Sequence, residues 1–564
     1  MRHAAALYPL LCLGALLAAC TTAPPSPPSP PSRPTAAPAA GPVLVKVLAI
    51  NDFHGNLKPP SGGIRVRDAA GKLTPVSAGG AEHLATAVAE LRAKNPNHIF
   101  VAAGDLVGAT PLLSAVFRDE PTVEALSLMG LEASAVGNHE FDKGAAELLR
   151  LQAGGCSPTD GCKGPAPFKG ASYQYLAAST VNIQTGQTLL PAYHVKTFQG
   201  VPVAFIGLTL KGTPGIVAPA GVAGLRFDDE ADTINRLVPQ LQRQGVQAIV
   251  VLIHEGGVPT GDYNDCPGIS GPIVDIVKKL DKAVDAVISG HTHRAYNCRI
   301  DGRLVTSGDK YGTIVTEIDL VLDPATRDVT SATANNVIVR TQSFAKAPQM
   351  TALIAQYEAL SVALTQRVVG RIGAGIPREG NAAGESPLGQ IIADAQLAAT
   401  RAAGAQVALM NPGGIRAALP LPADGQLRYE DLFSVQPFYN NLVTLTLSGA
   451  QLLQLLEQQW AGRGDGGRVL HVSQSLAYSW DASRPVGQRV LPGSVRLNGQ
   501  PLDPAAVVRV TVNAFLAGGG DSFPLLKEGK DAVTGIMDVD ALELYVKANP
   551  TLVPGPLNRI TRLN

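Results

Sequence analysis

Between residue 43 and about residue 340 the chain repeats one pattern: an almost unbroken apolar run closed by glycine or a polar residue. The runs are "VLVKVLAI", "HIFVAAG", "VPVAFIGLT", "VQAIVVLI", "DAVISG" and "TIVTEIDLVL". Runs without polar alternation read as strands buried on both faces, and the helical or loop stretches between them call for α/β layers. With 564 residues, 45% of them hydrophobic, the chain is too long for a single core. A helical pattern, "PQMTALIAQYEALSVALTQ", with Pro348 at its start, is expected to connect the first body to a second. That second stretch has its own helices in "PLGQIIADAQLAATRA" and "SGAQLLQLLEQQW" and strands in "NLVTLTL" and "VVRVTVN". The expected division is a first domain over 43–340, a linker with the connecting helix over 341–366, and a second α/β domain over 367–564.

The N-terminus reads as a processing segment. Arg2 and His3 precede an apolar run, Leu7–Ala19, too short to span a bilayer, and "LAAC" closes it at Cys20. This resembles a bacterial lipoprotein signal. It implies a signal peptide over 1–19, lipidation of Cys20, and a protein exported to the cell envelope, on the periplasmic side of the outer membrane. An ordinary signal peptide cut after small residues is the alternative. The Pro-rich stretch over 20–42 cannot build a core and is expected to act as an extended tether. Lys plus Arg and Asp plus Glu number 46 each, with no long run of either sign, so no nucleic-acid polymer and no polybasic membrane patch are expected. Cys156, Cys162, Cys266 and Cys298 are even in number in an exported chain and carry no CxxC pair. Disulfides Cys156–Cys162 and Cys266–Cys298 are expected rather than a zinc site.

In open α/β sheets ligands gather beyond the carboxyl ends of strands, so the residues that close each run matter most. The first run ends in Asn51-Asp52-Phe53-His54-Gly55, the second at Asp105, and the stretch Leu131–Val136 in Asn138 and His139. Two more end at His254 and at His291-Thr292-His293. Any one of these alone would be a loop residue or a helix cap. Together they place five of the ten histidines at strand ends, beside oxygen donors. Imidazole combined with carboxylate suits Zn, Mn or a similar divalent ion, and two adjacent ions need one bridging carboxylate, for which Asp105 is the candidate.

The motifs "NDFHG", "GD" at 104–105, "GNHEFD", "LIHEGG" and "GHTH" resemble, in order and spacing, those of the calcineurin-like metallophosphoesterases, and more narrowly those of the 5′-nucleotidase family. That resemblance implies an N-terminal β-sandwich flanked by helices and a smaller C-terminal α/β substrate domain. It implies Asp52, His54, Asp105 and His293 around one metal ion, and Asp105, Asn138, His254 and His291 around a second. It further implies a catalytic dyad of His139 and Asp142, with a carboxylate at one ring nitrogen raising the basicity of the imidazole. A helix N-cap is the other reading of Asp142. Glu140, between them, is expected to be a solvated or supporting acid without a catalytic role. The implied reaction is in-line hydrolysis by metal-activated water without a covalent phosphoenzyme.

The second stretch holds "NPGGIR", "PFYNN" and "AFLAGGGDSF". By the same resemblance Phe438 and Phe515 sandwich a base, Asp521 binds sugar hydroxyls, and Asn411 with Arg416 holds phosphate or ribose. The sequence has Gly384 before Glu385 where many relatives carry an arginine, and Arg378 is the candidate to reach the site from farther upstream. The expected substrate is a nucleotide or another small phosphate ester. UDP-sugar or 2′,3′-cyclic-nucleotide hydrolysis at the same dimetal site is the alternative, and a non-catalytic surface lipoprotein is the third reading. The Arg463-Gly464-Asp465 tripeptide reads as a turn.

Overall fold

The computed structural model describes residues 41–68, 70–462, 467–549 and 551–564. The expected signal peptide, Cys20, the tether up to residue 40 and the 463–465 turn lie outside the described residues.

Two six-stranded sheets form the first domain. In one, Val43–Ile50 runs parallel to His98–Ala102, and the sheet continues in parallel through Ala133–Ala135 and Gln174–Leu176. Ile314–Asp323 and Asp328–Ile338 complete its other side in antiparallel pairing. In the second sheet Val201–Thr209, Ala248–His254, Ala286–Ser289 and Arg303–Gly308 are parallel, edged by antiparallel Tyr193–Phe198 and Ala295–Ile300.

The two sheets face one another through Val45, Val47, Val101, Phe205, Val250, Leu252 and Ile288, none more than 1% exposed. Burying such a side chain contributes about 1.5–3 kcal/mol. The outer face of the first sheet is covered by helices Ala81–Ala93, Glu120–Leu128 and Ala145–Ala153, that of the second by Glu230–Arg243 and Pro272–Lys279. With both faces of each sheet covered, the central strands have no solvent side, which is why their sequences do not alternate.

Helix Pro348–Thr365 then crosses towards the second domain. It is fixed to the first by the buried Tyr357, whose hydroxyl donates to Glu124 Oε2 at 3.0 Å and whose ring meets Phe117 edge-on. The second domain centres on a five-stranded sheet in the order His471–Val472, Val407–Met410, Val507–Asn513, Asn441–Ser448, Lys530–Met537. Helix Pro387–Thr400 starts at Ser386, whose hydroxyl accepts from the Gly389 N–H, and Gly449–Glu457 starts at a reciprocal Ser448/Gln451 cap. Both expected disulfides are formed. Among the described residues no helix is long and apolar enough to cross a membrane.

Candidate active site

Five parallel strands, from both sheets, end at one place. Asp52 and His54 follow Val43–Ile50, Asp105 follows His98–Ala102, Asn138 follows Ala133–Ala135, His254 ends its strand, and His291 and His293 follow Ala286–Ser289. Ligand atoms of Asp52, His54 and His293 lie within 4.8 Å of one another, and so do those of Asp105, His254 and His291. Asp105 joins the two groups: its Oδ2 is 2.9 Å from His254 Nε2 and 3.6 Å from His54 Nε2. The backbone is bent to achieve this. Asp52, His54, Asp105, His291 and His293 all take positive φ, between 44° and 70°, at a cost of about 1–3 kcal/mol each. Gly137 is required for close approach, since a Cβ there would lie 2.1 Å from Asp105 Oδ1.

The donor set fits divalent cations. His54 Nδ1 and His254 Nδ1 each meet a backbone carbonyl, Gly108 at 2.8 Å and Ala103 at 2.7 Å, which leaves the Nε2 lone pairs facing the centre. His54 Nε2 and His293 Nε2 are 3.2 Å apart, the spacing expected of two nitrogens on a common ion. Asn138 Oδ1 is buried without a hydrogen-bond partner. Burial holds His54 and His293 well below the ordinary imidazole range, the Lys310 charge adding to the effect at His293, and burial with the neighbouring His254 pushes His291 down to about 4. His254 shows the opposite: burial opposes its charge, but Asp105 outweighs this and pushes it up to about 10. The carboxylates therefore demand positive charge here, and the neutral imidazoles offer lone pairs to it.

His139 stands at the start of a short 3-10 turn, His139–Phe141, and the turn brings Asp142 Oδ2 to 2.7 Å from His139 Nδ1. Burial opposes protonation of this ring, yet Asp142 and Asp105 raise its pKa above the ordinary value. Asp142 does not act as a helix N-cap, because the following helix, Ala145–Ala153, is preceded by Gly144. Glu140 is not solvated. It is 3% exposed, and its carboxylate accepts from the N–H groups of Asp105, Leu106 and Gly137 at 2.6–3.0 Å.

The second domain closes over this centre. Arg416 Nη2 lies 3.5 Å from His54 Nε2, and its guanidinium sits over the Phe438 ring at 5.9 Å. Phe438 in turn stacks 5.8 Å from His139. Arg378 is directed to the backbone behind this loop: its Nη1 donates to the Ile415 and Arg416 carbonyls at 2.9 and 2.7 Å. Asn411 is 2% exposed and spends its amide inside the protein, donating to Asp521 Oδ2 at 2.7 Å and accepting from Asn513 Nδ2 at 2.9 Å. Asp521, at φ 53°, also receives the Arg468 guanidinium on Oδ1. Phe515 is half-buried against Gly520, where a Cβ would come within 2.5 Å of its ring.

Residues 45–295 match the family model for calcineurin-like phosphoesterases, and residues 363–528 that for the 5′-nucleotidase C-terminal domain. The chain is 33% identical over 546 residues to the cell wall protein Lmo0130 of Listeria monocytogenes, covering 91% of this chain and 68% of that one. It belongs to the 5′-nucleotidase family of calcineurin-like metallophosphoesterases. The family is dimetal-dependent, and its members hydrolyse phosphate esters. The fold is similar to that of the crystal structure of a 5′-nucleotidase precursor from Thermus thermophilus, with a TM-score of 0.76 and 28% identity, covering 92% of this chain and 99% of that one. The chain is also 32% identical over 518 residues to the endonuclease YhcR of Bacillus subtilis, but spans only 40% of the length of that protein.

In this 5′-nucleotidase family member the motifs do not single out Asn51 or Arg468 as supporting residues. Asn51, the first residue of "NDFHG", donates to Asp52 Oδ2 at 2.7 Å and so aims that carboxylate. Arg468 acts through Asp521, a partner that no local spacing reveals, whereas Glu140 takes the supporting role expected of it and not the solvated one.

Proposed function

We propose that the protein hydrolyses phosphate monoesters of nucleotides outside the cytoplasm, releasing phosphate and nucleoside. The observation that carries this reading is the approach of Arg416 and Phe438 to His54 and His139, which puts a phosphate-binding cation and an aromatic platform directly over the candidate metal cluster. The likeness to the Thermus thermophilus 5′-nucleotidase precursor supports it.

Asp52, His54, Asp105 and His293 would hold one divalent ion and Asp105, Asn138, His254 and His291 the other, with zinc, manganese or a similar metal suiting the donors. Such ions supply Lewis acidity towards phosphoryl oxygens and lower the pKa of water. Arg416 neutralises phosphoryl charge and orients the ester. His139, kept protonatable by Asp142, faces the scissile region with Nε2, where it hydrogen-bonds a phosphoryl oxygen or gives a proton to the departing oxygen. Phe438 and Phe515 bracket the base, and Asp521, aimed by Asn411 and Arg468, accepts from sugar hydroxyls. Arg378 acts by fixing the Arg416 loop.

Export and lipid attachment at Cys20 form part of the proposal, supported by the N-terminal sequence and by the cell-wall designation of the Listeria relative. The test is a substrate panel with added Mn²⁺ or Zn²⁺: AMP, UDP-glucose, 2′,3′-cyclic AMP and an aryl phosphate. The reading expects AMP to be the best substrate. Preference for UDP-glucose or the cyclic nucleotide would replace it with the alternative reading at the same centre.

A further inference from the structure

The loop between strands Arg303–Gly308 and Ile314–Asp323 carries a cation that the motifs leave unassigned. Its backbone is tied to the cluster. The Tyr311 N–H donates to the carbonyl of Asp52 at 2.7 Å, and Asn51 Nδ2 donates to the Asp309 carbonyl at 2.7 Å. Thr313 closes the turn by donating its N–H and hydroxyl to the Lys310 carbonyl at 3.0 and 2.7 Å. Asp309 and Tyr311 both hold positive φ, 58° and 59°, so the loop is strained as the ligand residues are. The Tyr311 ring lies 5.9 Å from that of His54 and 5.8 Å from that of His293. Lys310 Nζ lies over the Tyr311 ring at 5.0 Å.

Lys310 is half-buried, and among the described residues no carboxylate forms an ion pair with it. The Asp309 carboxylate next to it is half-buried and accepts from the Thr313 hydroxyl at 2.9 Å, and the Lys310 charge acts on it without a direct ion pair among the described residues, so the ammonium over the Tyr311 face is only partly compensated by the protein itself. The loop pins its backbone to Asp52, which keeps Lys310 beside the cluster, where its charge acts on His293.

Resting on the phosphoesterase reading, we infer that Lys310 is a substrate-contacting residue that pairs with a non-bridging oxygen of the phosphoryl group and favours terminal phosphoryl groups over internal diesters. A terminal phosphoryl group has three non-bridging oxygens and close to two negative charges at neutral pH, whereas a diester has two such oxygens and one charge. The two candidate metal positions and Arg416 already offer contacts sufficient for a diester. One further cation gains most from the extra oxygen and the extra charge.

The test compares wild type, Lys310→Ala and Lys310→Arg, each loaded with Mn²⁺, on 4-nitrophenyl phosphate and bis(4-nitrophenyl) phosphate. Inorganic-phosphate affinity by calorimetry and metal content by mass spectrometry complete the set. In Lys310→Ala, kcat/KM for the monoester is expected to fall roughly tenfold or more, the diester by less than about threefold, and phosphate affinity in step with the monoester. Metal content should stay at the wild-type level, and Lys310→Arg should recover most of the loss. Equal losses on both esters, no loss on either, or loss of metal would overturn the inference. A wild-type protein that hydrolyses neither ester would instead refute the phosphoesterase reading, and the phosphate-binding comparison would still judge Lys310.

Discussion

Arg416 Nη2 and His54 Nε2, 362 positions apart in the chain, lie 3.5 Å from each other. The contact joins the Arg416 loop of the second domain to the strand end of the first, so on the proposed function phosphoryl-group recognition draws on both domains. Arg416→Ala is therefore expected to reduce kcat/KM on AMP by about 10²-fold or more, with metal content unchanged. Arg416→Lys should recover only part, because a point charge cannot reproduce the planar fork. Steady-state kinetics with parallel metal analysis checks this.

The His139–Asp142 pair, at 2.7 Å, sets a second expectation. His139→Ala should lower kcat by about 10²–10⁴-fold while two ions remain bound. Asp142 and Asp105 outweigh burial and raise the His139 pKa, so the protonated ring persists above the ordinary imidazole range. In Asp142→Asn the alkaline limb of the pH–rate profile should move to lower pH, since the charge that favours the proton has been removed.

Glu140 gathers the N–H groups of Asp105, Leu106 and Gly137, so it sets the loop that presents Asp105. Glu140→Gln replaces one acceptor oxygen by a donor that would face these donors. Metal affinity is expected to weaken by about 10–100-fold, as for other residues that orient a ligand from behind. Titration of the apo protein with Zn²⁺ measures it. Unchanged affinity would assign Glu140 a purely structural role.

Asp285 offers a test of the fold away from the cluster. Its carboxylate accepts from the Ile249 N–H at 2.8 Å, but burial, aided by Asp328, pushes its pKa up to about 8. The folded state thus keeps a proton that the unfolded chain releases near pH 4, so stability falls as pH rises from about 4 to about 8. Asp285→Asn keeps an acceptor for Ile249 and removes this penalty. Its melting temperature should exceed that of wild type by a few degrees at pH 8 and converge with it near pH 4.

The cluster was legible in the sequence because parallel strands deposit their carboxyl ends on one side. Asp52, His54, Asp105, Asn138, His254, His291 and His293 each follow an apolar run, so topology alone assembles them. The His139–Asp142 spacing was legible for a similar reason, since one tight turn spans three residues. What escaped was direction. Nothing in "GNHEFD" says that Glu140 turns inward to backbone donors while its neighbours face the cluster. Asn411 and Arg378 sit close to the expected site, yet their polar groups go to Asp521, Asn513 and backbone carbonyls. Arg468 was missed because its partner Asp521 is 53 positions away and across a fold contact.

If these strand ends cage two divalent ions about Asp105, metal and turnover must rise and fall together. Counting bound metal per chain while recording turnover, in wild type and Asp105→Asn, tests it most directly. Wild type should hold two ions and lose its activity on chelation, regaining it with Mn²⁺ or Zn²⁺, and the variant should lose metal and activity together. Full turnover in metal-free protein, or two ions retained by Asp105→Asn, would contradict it.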